Sequence, residues 1–225
     1  MAYLIYILLD EKPTDSLTLK GEVFKYLIKV RRHCEGDEVN IRYKNSLKIL
    51  NRYKIVCVQN RAVDLELISS SENEVKSEKY LHIAWCIIDV KSIEKILPSL
   101  SEIGVQRISF ISCDRSQNVK LDFKRFERIL EASMQQCGRT SYIEFDTYTS
   151  ITAFVEEFPD TKVFDFCENT LKNSTALERV LIGCEGGFST KERTLLKSQE
   201  NFRLDTPMVL RSESAVMAVA SKIIL

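Results

Sequence analysis

The chain is poor in the residues that punctuate a backbone or run hydrolytic chemistry. Seven glycines and four prolines in 225 residues exclude collagen-like and low-complexity architectures, which need one or both in abundance. Only two histidines, His33 and His82, are present, so a Ser-His-Asp or Cys-His mechanism would have to use one of them. His82 sits in the strand-like run Leu81–Trp85 and reads as structural. His33 follows Arg31-Arg32 in a basic region and reads as a surface residue, which leaves nucleophilic hydrolysis disfavoured. No run approaches the ~18 apolar residues of a membrane span. The stretch Met1–Asp10 lacks the basic n-region of a signal peptide and reads as a half-buried first strand. The seven cysteines, at 34, 57, 86, 113, 137, 167 and 184, include no pair with the close spacing of a zinc site. Most lie in apolar runs such as Ile55-Val56-Cys57-Val58, so reduced, buried thiols in a cytoplasmic protein are expected.

What is present is a soluble globular composition, 44% apolar and 28% charged, in a length that suits one or two domains. Net charge is zero, with 32 basic and 32 acidic residues, but it is unevenly placed. Between Lys20 and Arg61 there are 11 basic and 4 acidic residues, a balance of +7 that leaves −7 for the rest. A local basic surface of that size suits a polyanion, although a solvated charged face has the same signature.

Ser69–Glu78 is polar and aperiodic and reads as a linker. Before it, Val23, Tyr26, Leu27 and Val30 share one face of a helix over Lys20–Arg32. Strands are expected at Glu38–Tyr43, Leu47–Gln59 and Ala62–Ile68, which together suggest a small β-barrel. After the linker the pattern alternates. Strands are expected at Leu81–Ile88, Arg107–Ser112, Tyr142–Phe145, Lys162–Phe166 and Val180–Gly183. Helices are expected at Ser92–Ile103, Asp122–Gln136, Thr149–Glu157, Thr190–Ser198 and Glu213–Ile224. Such alternation implies a layered, mostly parallel α/β sheet.

Three of the seven glycines fall in Ile182-Gly183-Cys184-Glu185-Gly186-Gly187-Phe188-Ser189. This segment follows the apolar run Val180-Leu181-Ile182 and leads into Ser189-Thr190-Lys191-Glu192, which has the form of a helix capping box. The order is strand, glycine loop, helix start, and ligands of α/β sheets lie beyond the carboxyl ends of strands. The loop has neither the Lys-Ser/Thr ending of a P-loop nor the Rossmann spacing. Taken alone it is as readily a plain tight turn as a binding loop.

Three segments taken together say more. The glycine loop, Val209-Leu210-Arg211-Ser212-Glu213-Ser214-Ala215 and Glu131-Ala132-Ser133-Met134-Gln135-Gln136-Cys137-Gly138-Arg139 stand behind a β-rich N-terminal region. With Lys29-Val30-Arg31-Arg32, Gly36-Asp37 and Ser101-Glu102-Ile103-Gly104-Val105, the ordered set resembles the RsmE family of bacterial 16S rRNA uridine-N3 methyltransferases, within the SPOUT superfamily. The resemblance covers nearly the whole chain. It implies an α/β fold with a C-terminal SPOUT domain carrying a deep trefoil knot (residues 80–225), a linker (71–79) and an N-terminal PUA-like RNA-binding barrel (1–70). It also implies a homodimer, with 16S rRNA of the small ribosomal subunit as partner. The chain departs from the family at Cys184, usually proline, at Ser99, usually lysine, and at Thr206 and Met208, where glycine and arginine are common.

The cofactor so implied is S-adenosylmethionine. The residues that the resemblance assigns to it are Phe166, Cys167, Ile182, Gly183, Glu185, Gly186, Gly187, Met208, Val209, Leu210, Ser212 and Ala215. Backbone groups of a glycine loop can read adenine edges without crowding, and 208–210 supplies an apolar wall. No metal is implied, because a sulfonium is itself an excellent leaving group. Arg211 is the candidate for holding the uracil oxygens or a nearby phosphate. Glu213 is the candidate base or the residue that orients Arg211, though a carboxylate at a helix start is equally well placed by the dipole. Lys29, Arg31, Arg32, Arg115 and Arg139 are candidate RNA contacts. The competing readings are a SPOUT methyltransferase of another RNA, and a non-catalytic RNA-binding assembly factor.

Overall fold

A computed structural model describes residues 6–171 and 177–225. The first five residues of the expected N-terminal strand therefore lie outside the described residues. The chain divides into two compact units, Met1–Lys76 with Met134–Ser141, and Ser77–Ser133 with Tyr142–Leu225.

In the first unit, β1 (Tyr6–Leu9), β2 (Ser16–Lys20), β3 (Glu38–Tyr43), β4 (Ser46–Val58) and β5 (Ala62–Glu72) form one sheet in the order β1-β3-β4-β5-β2. β1 pairs in parallel with β3, and the other pairs are antiparallel. Alternation decides which face is buried. Tyr53 and Ile55 on β4, Val63 and Leu65 on β5, and Ile41 on β3 point into a core completed by Ile7 and Leu27. The Tyr53 hydroxyl, carried into that core, donates to the Thr14 carbonyl at 2.6 Å.

The helix expected over Lys20–Arg32 has two parts. A short α1 (Gly21–Phe24) runs into a π-helical stretch, Lys25–Val30, closed by an i→i−5 bond from Arg31 N–H to the Tyr26 carbonyl at 2.9 Å. The wider turn rotates Val30 off the apolar face, leaving it 65% exposed, and Phe24 and Leu27 fill the core instead. β5 also runs on through Ser69–Glu72, a stretch whose composition suggests a linker. Backbone pairing with Ile49–Arg52 of β4 holds it in the sheet while its polar side chains face solvent. Backbone pairing here overrides side-chain propensity.

The second unit is a six-stranded, wholly parallel sheet: β6 (His82–Cys86), β7 (Arg107–Ile111), β8 (Glu144–Tyr148), β9 (Lys162–Phe164), β10 (Arg179–Ile182) and β11 (Asn201–Phe202), in the order β11-β9-β10-β6-β7-β8. The crossovers carry α2 (Val90–Ile103), α3 (Phe123–Cys137), α4 (Ile151–Glu157) and α5 (Thr190–Leu195), and the described chain closes with α6 (Ser212–Ile224). Local signals set the helix ends. Asp89 caps α2 by accepting from the Lys91 and Ser92 amides, Gly104 ends it in the left-handed region, and Ser150 caps α4. β6 is buried along its whole length, as a central parallel strand requires, and Trp85, Phe110, Phe126 and Phe154 fill the layers against it.

At the amino ends of the strands lies a polar row, with Arg179 and Arg107 half-buried on either side of the buried His82 and in register with it. Arg179 Nε donates to His82 Nδ1 at 3.1 Å, and His82 Nε2 lies 2.6 Å from Ser109 Oγ. His82 is fully buried here, with a structural role. His33 lies half-buried in the first unit, 3.2 Å from Asp37.

Candidate active site

At the opposite, carboxyl ends of β11, β9 and β10, three neighbouring strands, the chain opens into a cavity of about 520 Å³. That volume holds a nucleoside-sized ligand. Three loops line it. Phe164–Phe166 leave β9, Ile182–Phe188 leave β10, and Arg203, Leu204 and Thr206–Leu210 follow β11; Ser212 and Ala215 of α6 close one side.

The glycine loop is held from both ends. Its downstream end is fixed by a reciprocal capping box. Ser189 Oγ accepts from the Glu192 amide at 3.2 Å, and Glu192 accepts from the Ser189 amide at 2.7 Å. The second Glu192 oxygen accepts from the Asp114 amide at 2.7 Å, tying the loop after β7 to the same helix start. Gly187 turns the chain at φ +62°, a conformation that costs a side-chain-bearing residue energy. At the upstream end a single hydroxyl joins three elements. Trp85 Nε1 on β6 donates to Ser212 Oγ at 2.8 Å, and Ser212 Oγ donates to the Gly183 carbonyl at 2.6 Å. Two opposing walls, the glycine loop and the start of α6, are thereby fixed to each other.

The lining mixes apolar surface with a few charges. Phe166, Met208 and Val209 are 70%, 71% and 76% exposed, an unusual state for large apolar side chains. Asp165 pairs with Arg193 at 3.0 Å, and Arg193 Nε also donates to the Phe188 carbonyl. Arg115 crosses to the loop and donates from Nη1 to the Gly186 carbonyl at 2.5 Å.

Of the residues expected at a cofactor, Phe166, Ile182, Gly183, Glu185, Gly186, Gly187, Met208, Val209, Leu210, Ser212 and Ala215 all line this cavity. Cys167 does not, because its thiol turns back within its own loop to the Asn169 carbonyl at 3.4 Å. Arg211 and Glu213 stand beside the lining. Arg211 is the exposed residue at which α6 begins, and Glu213 in the first turn has one buried carboxylate oxygen, Oε2, without a hydrogen-bond partner. Lys29, Arg31 and Arg32 are exposed on the first unit, Arg31 with its guanidinium 5.2 Å from the Tyr26 ring centre and Arg32 at φ +60°. Arg139 departs from the surface position expected of an RNA contact. It is 5% exposed, and burial pulls its guanidinium down to about 10. Asp165, Arg193 and Arg203 join the lining without having been expected there. The only sequence signal for Asp165 is its position next to a strand end, and Arg193 and Arg203 carry none.

The sequence also hides a sulfur cluster. Cys86 at the end of β6, Cys113 after β7 and Cys184 in the glycine loop converge, with Cys113 Sγ 3.7 Å from Cys184 Sγ. Among the described residues no group of three His, Cys, Asp or Glu side chains is arranged to hold a metal ion. No helix among them is long and apolar enough to cross a membrane.

A parallel α/β unit with a ligand-sized cavity beyond its strand ends and a clamped glycine loop is an architecture for binding a small cofactor. The RNA methyltransferase domain family matches residues 75–224, and this chain belongs to that family. The ribosomal RNA small subunit methyltransferase E of Helicobacter pylori is 35% identical to it, over 96% of this chain and 97% of that protein. The solved structure of the enzyme of that name from Neisseria gonorrhoeae, bound to S-adenosylmethionine, shares its fold (TM-score 0.72, 15% identity, 97% and 96% of the two chains). So does a methyltransferase from Legionella pneumophila in complex with the same cofactor (TM-score 0.73, 23% identity, 96% and 94%).

Proposed function

We propose that this protein is an S-adenosylmethionine-dependent methyltransferase of the small ribosomal subunit that methylates N3 of one uridine in 16S rRNA. The observation that carries this reading is the cavity at the ends of β9, β10 and β11, lined by eleven of the twelve residues assigned to the cofactor, in a chain 35% identical to a small-subunit rRNA methyltransferase. The pocket fits the cofactor on its own terms. Its glycines let a flat heterocycle approach the backbone, Met208 and Val209 offer an apolar wall that solvent otherwise wets, and Asp165 and Glu185 suit hydroxyl and ammonium groups. When bound, S-adenosylmethionine supplies an electrophilic methyl group.

The protein's part is to place the base and manage one proton. Arg211, exposed at the start of α6 beside the cavity, holds the uracil oxygens or the adjoining phosphate through its planar donor fork. Glu213 offers the unpartnered oxygen Oε2 either to accept the N3 proton or to orient Arg211. Alignment within near-attack distance supplies most of the rate. A paired uridine must be turned out of its stack first. The first unit, as a PUA-like barrel, docks RNA through Lys29, Arg31 and Arg32, with Arg115 contacting RNA or the cofactor cleft in the second. Arg139, being buried, supports its segment instead. A SPOUT-type knot and a homodimer complete the proposed architecture.

The test is transfer of labelled methyl from S-adenosylmethionine to small subunits that lack the modification, followed by mapping of the base. One N3-methyluridine in 16S rRNA is the expected product. Arg211→Ala should lose most of the transfer while keeping its fold, and a near wild-type rate would remove that role. Cofactor binding without transfer would indicate another RNA. Absence of binding at millimolar cofactor would favour an assembly factor, the alternative that the departures at Ser99, Thr206 and Met208 from the family pattern raise.

A further inference from the structure

The three thiols at the ends of β6, β7 and β10 have no part in the mechanism above, yet one of them belongs to the pocket wall. Cys184 lies between Gly183 and Glu185 in the lining. Its sulfur is buried and 3.7 Å from that of Cys113. Cys113 is half-buried, so small reagents can reach it. Its sulfur also accepts from Ser116 Oγ at 3.0 Å.

We propose that Cys113 and Cys184 form a reversible disulfide when a hydroperoxide oxidises Cys113, and that this bond distorts the glycine loop and weakens cofactor binding. The functional consequence rests on the reading of the cavity as the S-adenosylmethionine site. The chemistry balances in two steps. The Cys113 thiolate attacks the peroxide, forming an S–O bond while the O–O bond breaks and the leaving oxygen takes a proton to depart as water or alcohol. The Cys184 sulfur then attacks the sulfenic sulfur, forming the S–S bond while the S–O bond breaks, and the Cys184 thiol proton leaves with the departing hydroxide as water. Two thiols are oxidised and one peroxide is reduced.

The environment favours this order of events. Hydrogen bonds from Cys184 first, then Cys86 and Ser116, together with the Arg115 amide, lower the Cys113 thiol well below its ordinary value, and Cys184 is correspondingly raised. Thiolate is the reactive form, so the more accessible sulfur is also the better nucleophile. A bonded pair of sulfurs lies about 2.05 Å apart, so sulfurs now separated by 3.7 Å must close by roughly 1.7 Å. Whatever part of that closure the Cys184 backbone makes is transmitted to the adjoining Gly183, whose carbonyl is held by Ser212 at 2.6 Å. The disulfide thereby pulls on the clamp between the glycine loop and α6.

The experiment treats the full-length protein with hydrogen peroxide, alkylates the remaining thiols, maps the crosslinked peptides and measures S-adenosylmethionine binding by calorimetry before and after dithiothreitol. The expected result is a Cys113–Cys184 crosslink, with affinity weakened by about tenfold or more, a loss of about 1.4 kcal/mol, and restored on reduction. Cys113→Ser should lose the crosslink and hold its affinity through peroxide treatment. Should that variant fail to fold, the mapping on the unsubstituted chain still decides the matter. Absence of the crosslink overturns the proposal, as does a crosslink that leaves affinity unchanged, or a peroxide-induced loss that persists in Cys113→Ser. A reduced protein that binds no S-adenosylmethionine overturns the cofactor reading and the switch together, whereas normal binding without a crosslink overturns the switch alone.

Discussion

Acidification should destabilise the second unit through one histidine. Arg179 Nε can only donate, so His82 Nδ1 must be the bare nitrogen, and Nε2 carries the proton toward Ser109 Oγ. Protonating Nδ1 would set two N–H groups against each other in a fully buried site. Burial first, then the charges of Arg107 and Arg179, lower His82 from 6.5 to about 4. The sign follows from which state takes the proton. Above pH 6.5 neither state holds it and there is no penalty. Between 6.5 and 4 the unfolded chain binds a proton that the folded chain refuses, so stability falls with pH, and below 4 the loss levels off. Each pH step of one across that window removes about 1.4 kcal/mol, so the loss amounts to about 1.4 kcal/mol by pH 5.5 and about 3 kcal/mol by pH 4. The chain's single tryptophan, Trp85, lies on the same strand as His82 and reports this domain's unfolding by fluorescence. Denaturant unfolding of the wild type and of His82→Gln at pH 7.5, 5.5 and 4 isolates the effect, since the carboxylates common to both chains cancel. The advantage of wild type over variant should shrink by about 3 kcal/mol across that range. A difference independent of pH would refute the reasoning.

Substitutions at three positions, two lining the cavity and one remote from it, separate binding from stability. Ser212→Ala removes the acceptor of Trp85 Nε1 and the donor to the Gly183 carbonyl; it should cost about 1–3 kcal/mol in denaturant unfolding and also weaken cofactor binding by calorimetry, while Ser212→Thr should recover most of both. Phe166→Ala, at a side chain 70% exposed, should change stability by no more than about 0.5 kcal/mol while lowering affinity for cofactor or RNA in titration. Gly104→Ala puts a Cβ 2.7 Å from that of Ser77, at φ +107°, and should lower stability by about 1–3 kcal/mol without altering cofactor affinity in the surviving folded fraction.

The parts of the fold that are legible in the sequence are those in which local pattern and global role coincide. Ser189 and Glu192 sit three residues apart at the start of α5, and the capping box they form is local. The alternation of strands and helices after Ser77 likewise follows from period alone, and the strands expected there lie within a few residues of those observed. Where tertiary pairing decides, sequence is silent. β11 is two residues long and exists because Asn201 and Phe202 meet the edge of β9. Ser69–Glu72 is a strand because β4 is long enough to hold it. The π-helical turn before Arg31 moves Val30 to solvent, although helical spacing puts it on the apolar face.

The site divides along the same line. The glycine loop and Met208–Leu210 are legible because each is a contiguous segment. Asp165 and Arg193 are not, since their pairing joins positions 28 apart that only the sheet order brings together. Cys113 and Cys184, 71 positions apart, are the extreme case. Spacing rules for thiols look for neighbours in sequence, but in a parallel sheet each strand delivers its last residues to the same edge. Distant cysteines one or two positions beyond their strands therefore meet there, and what meets at that edge is also what lines the ligand. The geometry that makes the carboxyl ends of these strands a binding site thus makes a cysteine in the loop consequential: Cys184 gives the pocket wall a chemical handle.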